Sequence, residues 1–428
     1  MPLIRRFLLP LVLALPMLSG LPMAAAHAGS LLVPAPVGSS TAAPNDPKVL
    51  RQRLVTVDAA TLAAQLLPPA MDLAADRVSR SSSLEGIVSI DLFQGRSVVL
   101  RRKAVEESLE GGIVWTGNTG TQGYGILVIN GNRITGAIEM GGRHYLIDPV
   151  AGGPSHLLRE VNSEAYPRDI HINPPARPTR QGVTTSQSPT VSTATTNTVV
   201  RLLAVYTARA KTILGTPGDK ISLDVAIVNQ GMINSGIPLR ISLVKVGTVK
   251  TTYNEQAAAD SAKPLYDLTS GINANFPAIR TMRNDVAADL VTMYLDRPEY
   301  CGIAWVLYPS LNAAYGFSAV NANCQGTATL AHELGHNIGL YHDRYVEVAA
   351  GSAKYNYGYV NLAGKFRTIM SYPDKCTTYG VTCTRITYYS TPLKSYNGRP
   401  VGIAAGSAGA ADASRVLREN RAGVAAFR

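Results

Sequence analysis

The chain has 428 residues, 46% hydrophobic and 16% charged, with four cysteines. That length supports two or three domains with sizeable cores. Lys and Arg number 40 against 29 Asp and Glu, for a formal net charge of +11. They are scattered singly and cluster only at Arg5-Arg6 and around Arg101-Arg102. This spacing argues against a nucleic-acid-binding face and fits a solvated surface with weak attraction to acidic partners.

In chain order, residues 1–28 read as an export signal. Arg5 and Arg6 precede an apolar run from Phe7 to Leu18, and Ala26-His27-Ala28 fits the small-x-small cleavage rule. The run is too short for a membrane anchor, and no cysteine follows to carry a lipid. The expected location is secreted, either extracellular or periplasmic. A retained N-terminal helix is the alternative. Residues 29–50 are a Pro-, Ala- and Ser-rich leader, and Leu54, Leu62, Leu66 and Leu67 give residues 51–78 a helical spacing. Residues 84–150 alternate as strands, with Asn130-Gly131-Asn132 as a hairpin turn and Tyr145–Pro149 closing a small antiparallel β domain. Residues 172–198 are rich in Pro, Thr and Ser and predict a linker, cleavable at Arg177 or Arg180. A permanent interdomain hinge is the other reading. The domains are therefore 29–171, the linker, and 199–428.

The last domain opens with a buried strand at 199–207, a helix near 221–235 and a strand at 239–246. A helix broken near Pro277, a buried strand at 289–295 and an edge strand at 317–323 follow. A helix capped by Asp412 ends the chain. The class is α+β, an α/β-type sandwich with a mixed sheet.

Residues 332–343 read HELGHNIGLYHD. On a helix, His332 and His336 share one face and can reach a single metal ion. Gly339 permits a sharp turn that returns His342 as a third ligand. Three neutral imidazoles with an open fourth position describe a catalytic zinc site. Glu333 is placed beside the attacking water as general base. An amphipathic helix with solvated histidines is the bland alternative. The cysteines Cys301, Cys324, Cys376 and Cys383 allow three pairings. The expected one is Cys301–Cys324 with Cys376–Cys383, each bracketing a compact loop, against a set of free thiols.

The pattern H-E-x-x-H-x-x-G-x-x-H, followed by Thr368-Ile369-Met370-Ser371-Tyr372, resembles the metzincin zinc endopeptidases. Asp343 after the third His is similar to the reprolysin (adamalysin) branch. Cys301-Gly-Ile-Ala-Trp, Cys324 and the run from Ala331 to Asn337 resemble bacterial secreted reprolysin-like proteases, including peptidyl-Asp metalloendopeptidases. Met370-Ser371-Tyr372 departs from the Met-x-Pro of animal reprolysins toward the serralysin and astacin pattern. The resemblance covers roughly residues 199–428, and residues 84–150 resemble a reprolysin-type propeptide.

It implies one Zn²⁺, a peptide or protein substrate, the chain's own propeptide as inhibitor, and a monomer without nucleic-acid or membrane partners. Calcium has no support in the sequence, and a Gly-Gly-x-Gly-x-Asp repeat is absent. Met370 is expected as an apolar floor. Tyr372 is either a donor to the developing oxyanion or a packed pocket wall. The propeptide holds no cysteine, so latency must use His156, His171, Asp169 or Glu164, or steric blocking alone. Cleavage before Asp would need a cation in the pocket wall, for which Lys375 and Arg385 are the candidates unless both are solvated surface charges. A catalytically silent zinc-binding or interaction module, or a metal-sequestering protein, is the alternative function.

Overall fold

The alternating apolar residues of the first half build one nine-stranded sheet. The computed structural model describes residues 30–35, 45–58, 61–62, 66, 86–93, 95–120, 122–175, 197–250, 252–257, 259–271, 276–347 and 355–428. The export segment and Arg177 and Arg180 of the linker lie outside the described residues. In spatial order the strands are Leu32–Pro34, Val49–Val57, Ser155–Val161, Arg143–Pro149, Arg133–Met140, Gly123–Asn130, Ile113–Asn118, Arg96–Glu107 and Ile87–Phe93. All pairings are antiparallel. Gly131, at φ +59°, turns the expected hairpin.

Two expectations fail here. Residues 49–57 are a strand, not the start of a helix, because Leu54 pairs with Leu157 in the ladder. The sheet also does not close at Pro149, since Ser155–Val161 carries it on to the Val49–Val57 strand. One face of the sheet encloses its own core around Trp115, Leu127, Tyr145 and Ile147. On the other face, Ile126, Val128 and Leu146 pack against Leu223 and Ile227 of the long helix Pro217–Asn234. Lys220–Asp148, Arg240–Glu106 and Arg133–Asp219 ion pairs rim that contact.

The second sheet has six strands, in the order Ile170–Ile172, Gly302–Trp305, Phe317–Asn321, Leu290–Leu295, Thr198–Tyr206 and Leu239–Thr248. Alternation sends Val200, Leu202 and Ala204 to one face and Leu203 and Val205 to the other. The first face is covered by Pro217–Asn234, Thr329–Asn337 and Ala413–Val424. Lys263–Ser270 and Pro277–Asp285 cover the second. Every pairing is parallel except Gly302–Trp305 against Phe317–Asn321.

This topology corrects the edge assignment. Phe317–Asn321 is internal, parallel to Leu290–Leu295 on one side and antiparallel to Gly302–Trp305 on the other. Its five residues are all buried, as an interior strand requires. The rim strand of the second domain is Gly302–Trp305, and Ile170–Ile172 of the first half lies along it. The expected boundary at residue 171 thus falls inside a paired strand. Among the described residues, no helix is long and apolar enough to cross a membrane.

The cysteines pair as expected, Cys301 with Cys324 and Cys376 with Cys383. The first bond ties the start of the rim strand to the turn before the Thr329–Asn337 helix, across a separation of 23 residues. A loop of that size restricts the unfolded chain by about 3 kcal/mol. The Cys301→Ser/Cys324→Ser double variant should lose stability of that order. Thermal unfolding of the oxidised parent and the variant measures it, and identical midpoints would leave the bond without a stabilising role.

Candidate metal centre

All nine residues of the helix Thr329–Asn337 are buried, which is unusual for a segment carrying His332, Glu333 and His336. It is locked to the sheet by Asn337, whose side-chain amide donates to Trp305 O and Phe317 O, each at 3.0 Å. The helix ends at Asn337, and Gly339 follows with φ +102°. A side chain there would press on Asn420 and Leu307 O, so only glycine permits the turn. The chain then enters the short strand Tyr341–Asp343, which brings His342 back.

The three imidazoles converge. His336 Nε2 lies 3.0 Å from His332 Nε2 and 3.1 Å from His342 Nε2. Their Nδ1 atoms are committed elsewhere: His332 to Ile369 O at 2.9 Å, His336 to Leu340 O at 2.7 Å, and His342 to the Glu347 carboxylate at 2.7 Å. Carbonyl and carboxylate oxygens accept only, which assigns the proton to each Nδ1 and a lone pair to each Nε2; Arg385 Nη2, though 3.0 Å from His332 Nδ1, donates to Ile369 O at 2.7 Å. Burial holds all three rings well below the usual histidine range, with the neighbouring rings next for His332 and His336 and with His171 and Arg385 next for His342. They are neutral at physiological pH. Three lone pairs aimed at one another repel unless a cation lies among them.

Glu333 is fully buried, and neither carboxylate oxygen has a hydrogen-bond partner among the described residues. Burial, and next the Asp169 carboxylate, pushes its pKa well up, whereas Arg385 opposes this. Gly302 of the rim strand faces it, and a methyl there would overlap the carboxylate. Met370 is buried against the helix, with its sulfur 2.6 Å from where a Gly335 side chain would begin. Asp343 fixes this arrangement. One of its carboxylate oxygens accepts from Tyr372 N at 2.9 Å and the other from Tyr345 N at 3.0 Å. The third histidine and the Met370 turn therefore move together. The Tyr372 hydroxyl lies 2.9 Å from His342 Nε2 and donates to Asp169 O. Burial keeps that phenol protonated.

Arg385 reaches the site and Lys375 does not. The Arg385 guanidinium donates to Ile369 O, the acceptor of His332, and lies 3.5 Å from the Asp169 carboxylate. Lys375 sits in the helix Asp374–Thr378 and, unlike Arg385, does not line the cavity beside Asp169 and Tyr372.

The first half contributes two of its four candidate groups. His171 groups with His336 and His342, and Asp169 with His332 and Glu333, all within 4.8 Å. His156 is instead held inside the first sheet, accepting from Ile134 N at 3.0 Å. Glu164 pairs with Arg367 at 2.9 Å. Arg367, Glu347 and Gly302 escaped the sequence reading. Arg367 had a signal, as a lone charge directly before the buried run at Thr368. Glu347 lies beyond the motif and had none.

Residues 219–343 match the family model described as Metallo-peptidase family M12B Reprolysin-like. The chain is similar to peptidyl-Asp metalloendopeptidases of Stenotrophomonas maltophilia. It is 31% identical to those of strain R551-3 and strain K279a, with 95% of each chain covered in both cases. A peptidyl-Asp metalloendopeptidase of Xanthomonas campestris pv. campestris is 30% identical over 79% of this chain and 82% of its own.

Because a methyl at 302 displaces the Glu333 carboxylate, Gly302→Ala should lower kcat/KM on the order of a hundredfold, the scale of a mispositioned reactive group. Circular dichroism and peptide hydrolysis on the same preparation check this. Parent-like activity in a folded variant would show that the contact does not position Glu333.

Proposed function

Since the chain belongs to the reprolysin-like metalloendopeptidases, we propose that it is an exported, zinc-dependent endopeptidase made as a precursor. In this reading His332, His336 and His342 hold the ion and Glu333 is the general base. The observation that carries it is the convergence of three Nε2 lone pairs within 3.1 Å of their neighbours, with every Nδ1 already bonded. Three imidazoles suit zinc among the available metals. Zinc, when bound, supplies a Lewis acid for the scissile carbonyl and acidifies a water.

The chain's own groups do the rest. Glu333 has both oxygens unbonded, so it can take a proton from the attacking water and pass it to the departing amine. Tyr372 places its hydroxyl 2.9 Å from His342 Nε2, where it can donate to the developing charge on the carbonyl oxygen. Met370 supports the histidines as an apolar floor without ligating. An extended substrate would pair with the rim strand Gly302–Trp305, where Ile170–Ile172 now lies. The 29–171 segment then acts as a propeptide and blocks the cleft, with His171 next to the metal ligands. A metal-storage module is disfavoured, since storage has no use for a partnerless carboxylate beside the ligands.

The name of the similar relatives suggests cleavage before Asp, with Arg385 as the pocket cation. Hydrolysis of a mixed peptide library tests that preference, and selection of large apolar residues would end it.

Glu333→Ala should retain one zinc per chain and lose several powers of ten in turnover. Tyr372→Phe should lose on the order of tenfold to a hundredfold in kcat with KM little changed. Metal analysis alongside peptide hydrolysis decides both. A zinc-free or fully active Glu333→Ala variant would contradict the assignment.

A further inference from the structure

Residues 164–171 enter the site with two carboxylates: Glu164 meets the buried Arg367 and Asp169 meets the half-buried Arg385. The Asp169 side chain is only 4% exposed and lies 3.5 Å from Arg385 Nη2. Glu164 lies 2.9 Å from Arg367 Nη2, and Arg367 also donates to Ser371 O at 2.9 Å. Arg367 and Arg385 retain 5% and 15% side-chain exposure. Among the described residues, these two acids are the only carboxylates paired with them. A cavity of about 220 Å³ adjoins all four side chains, walled by Tyr372 and Thr329. Departure of the segment would leave both guanidiniums in the cleft without counter-charges, which a partly buried site tolerates poorly. An entering acidic side chain restores the pairing.

The backbone of the segment is out of step with cleavage. Cutting before an acidic residue requires the preceding residue's carbonyl at the catalytic centre while the acid fills the pocket. Here the preceding carbonyl, that of Arg168, accepts from Cys301 N at 3.2 Å, just ahead of the strand ladder. The carbonyl that Tyr372 binds belongs to Asp169 itself. Ile170–Ile172 then runs parallel to the rim strand, with Ile170 opposite Ile303 and Ile172 opposite Trp305. The acid is presented, but the bond before it is withheld by one residue.

We propose that residues 164–171 are an acidic pseudosubstrate. Asp169 and Glu164 occupy a two-arginine pocket, Arg385 and Arg367, that takes the acidic side chain of a substrate in the processed enzyme, and the one-residue offset protects the segment from being cut. Specificity and latency then share one pocket, with Arg367 as its second determinant. The proposal rests on the endopeptidase reading and adds the pocket's composition and its occupant.

The test uses the purified full-length precursor, with zinc content measured on every sample. Amide hydrogen exchange at residues 170–172 reports release of the segment, whether or not the chain is active. Asp169→Asn should speed that exchange and raise hydrolysis of an Asp-containing fluorogenic peptide, each on the order of tenfold, as expected for loss of a buried charge pair. Glu164→Gln should act in the same direction but less strongly. Arg385→Gln should release the segment comparably, and combining it with Asp169→Asn should add little, since both remove one interaction. The double variant also leaves no unpaired buried charge, which guards against a single variant that fails to fold. Unchanged exchange in Asp169→Asn and Glu164→Gln would overturn the proposal. Peptide hydrolysis absent from every form, even after digestion within the linker, would instead overturn the endopeptidase reading, while exchange would still decide the pocket.

Discussion

Three neutral imidazoles held with their Nε2 atoms about 3 Å apart are the constraint on which the rest of the structure depends. Such a cluster is unfavourable by itself, because each lone pair faces another. It persists because every Nδ1 has a fixed acceptor and the rings cannot turn away. Those acceptors come from three places: Ile369 in the Met370 turn, Leu340 just past the helix, and Glu347 beyond the motif. The fold can be read outward from them. Gly339 makes the return, Asp343 couples His342 to the Met370 turn, and Asn337 pins the helix to two strands.

The residues proposed to carry the chemistry were legible because ligand chemistry dictates both residue type and spacing. A helical i, i+4 pair, a glycine and a third histidine permit few other arrangements. The Asp412 cap, the disulfides and most strands were legible for similarly local reasons. Sheet order was not. Phe317–Asn321 and Gly302–Trp305 are both short apolar runs, and nothing local distinguishes an interior strand from a rim strand. The helical spacing read at Leu54 failed because Leu54 is only half-buried and its backbone is taken up in the ladder opposite Leu157. Arg367 and Glu347 act through partners distant in sequence, so neither reveals its role along the chain.

The two halves of the chain meet through apolar packing and ion pairs far from the histidines, and again at the rim strand beside them. The first contact holds the nine-stranded sheet on the long helix whatever happens in the cleft. The second lays Asp169 and His171 over the metal centre. In the proposed precursor, blocking of the cleft does not depend on the affinity of a short segment alone, because the contact with the long helix keeps that segment's local concentration high. Processing within the linker would cut the covalent tie between the halves yet leave both contacts in place.

On the proposed reading, three imidazoles of the 332–342 motif bind one zinc ion. Zinc-edge X-ray absorption on the purified, zinc-loaded protein tests this most directly. The expected result is a shell containing at least three imidazole nitrogens at about 2.0–2.1 Å and no sulfur. Fewer than three imidazoles, or any sulfur ligand, would contradict it.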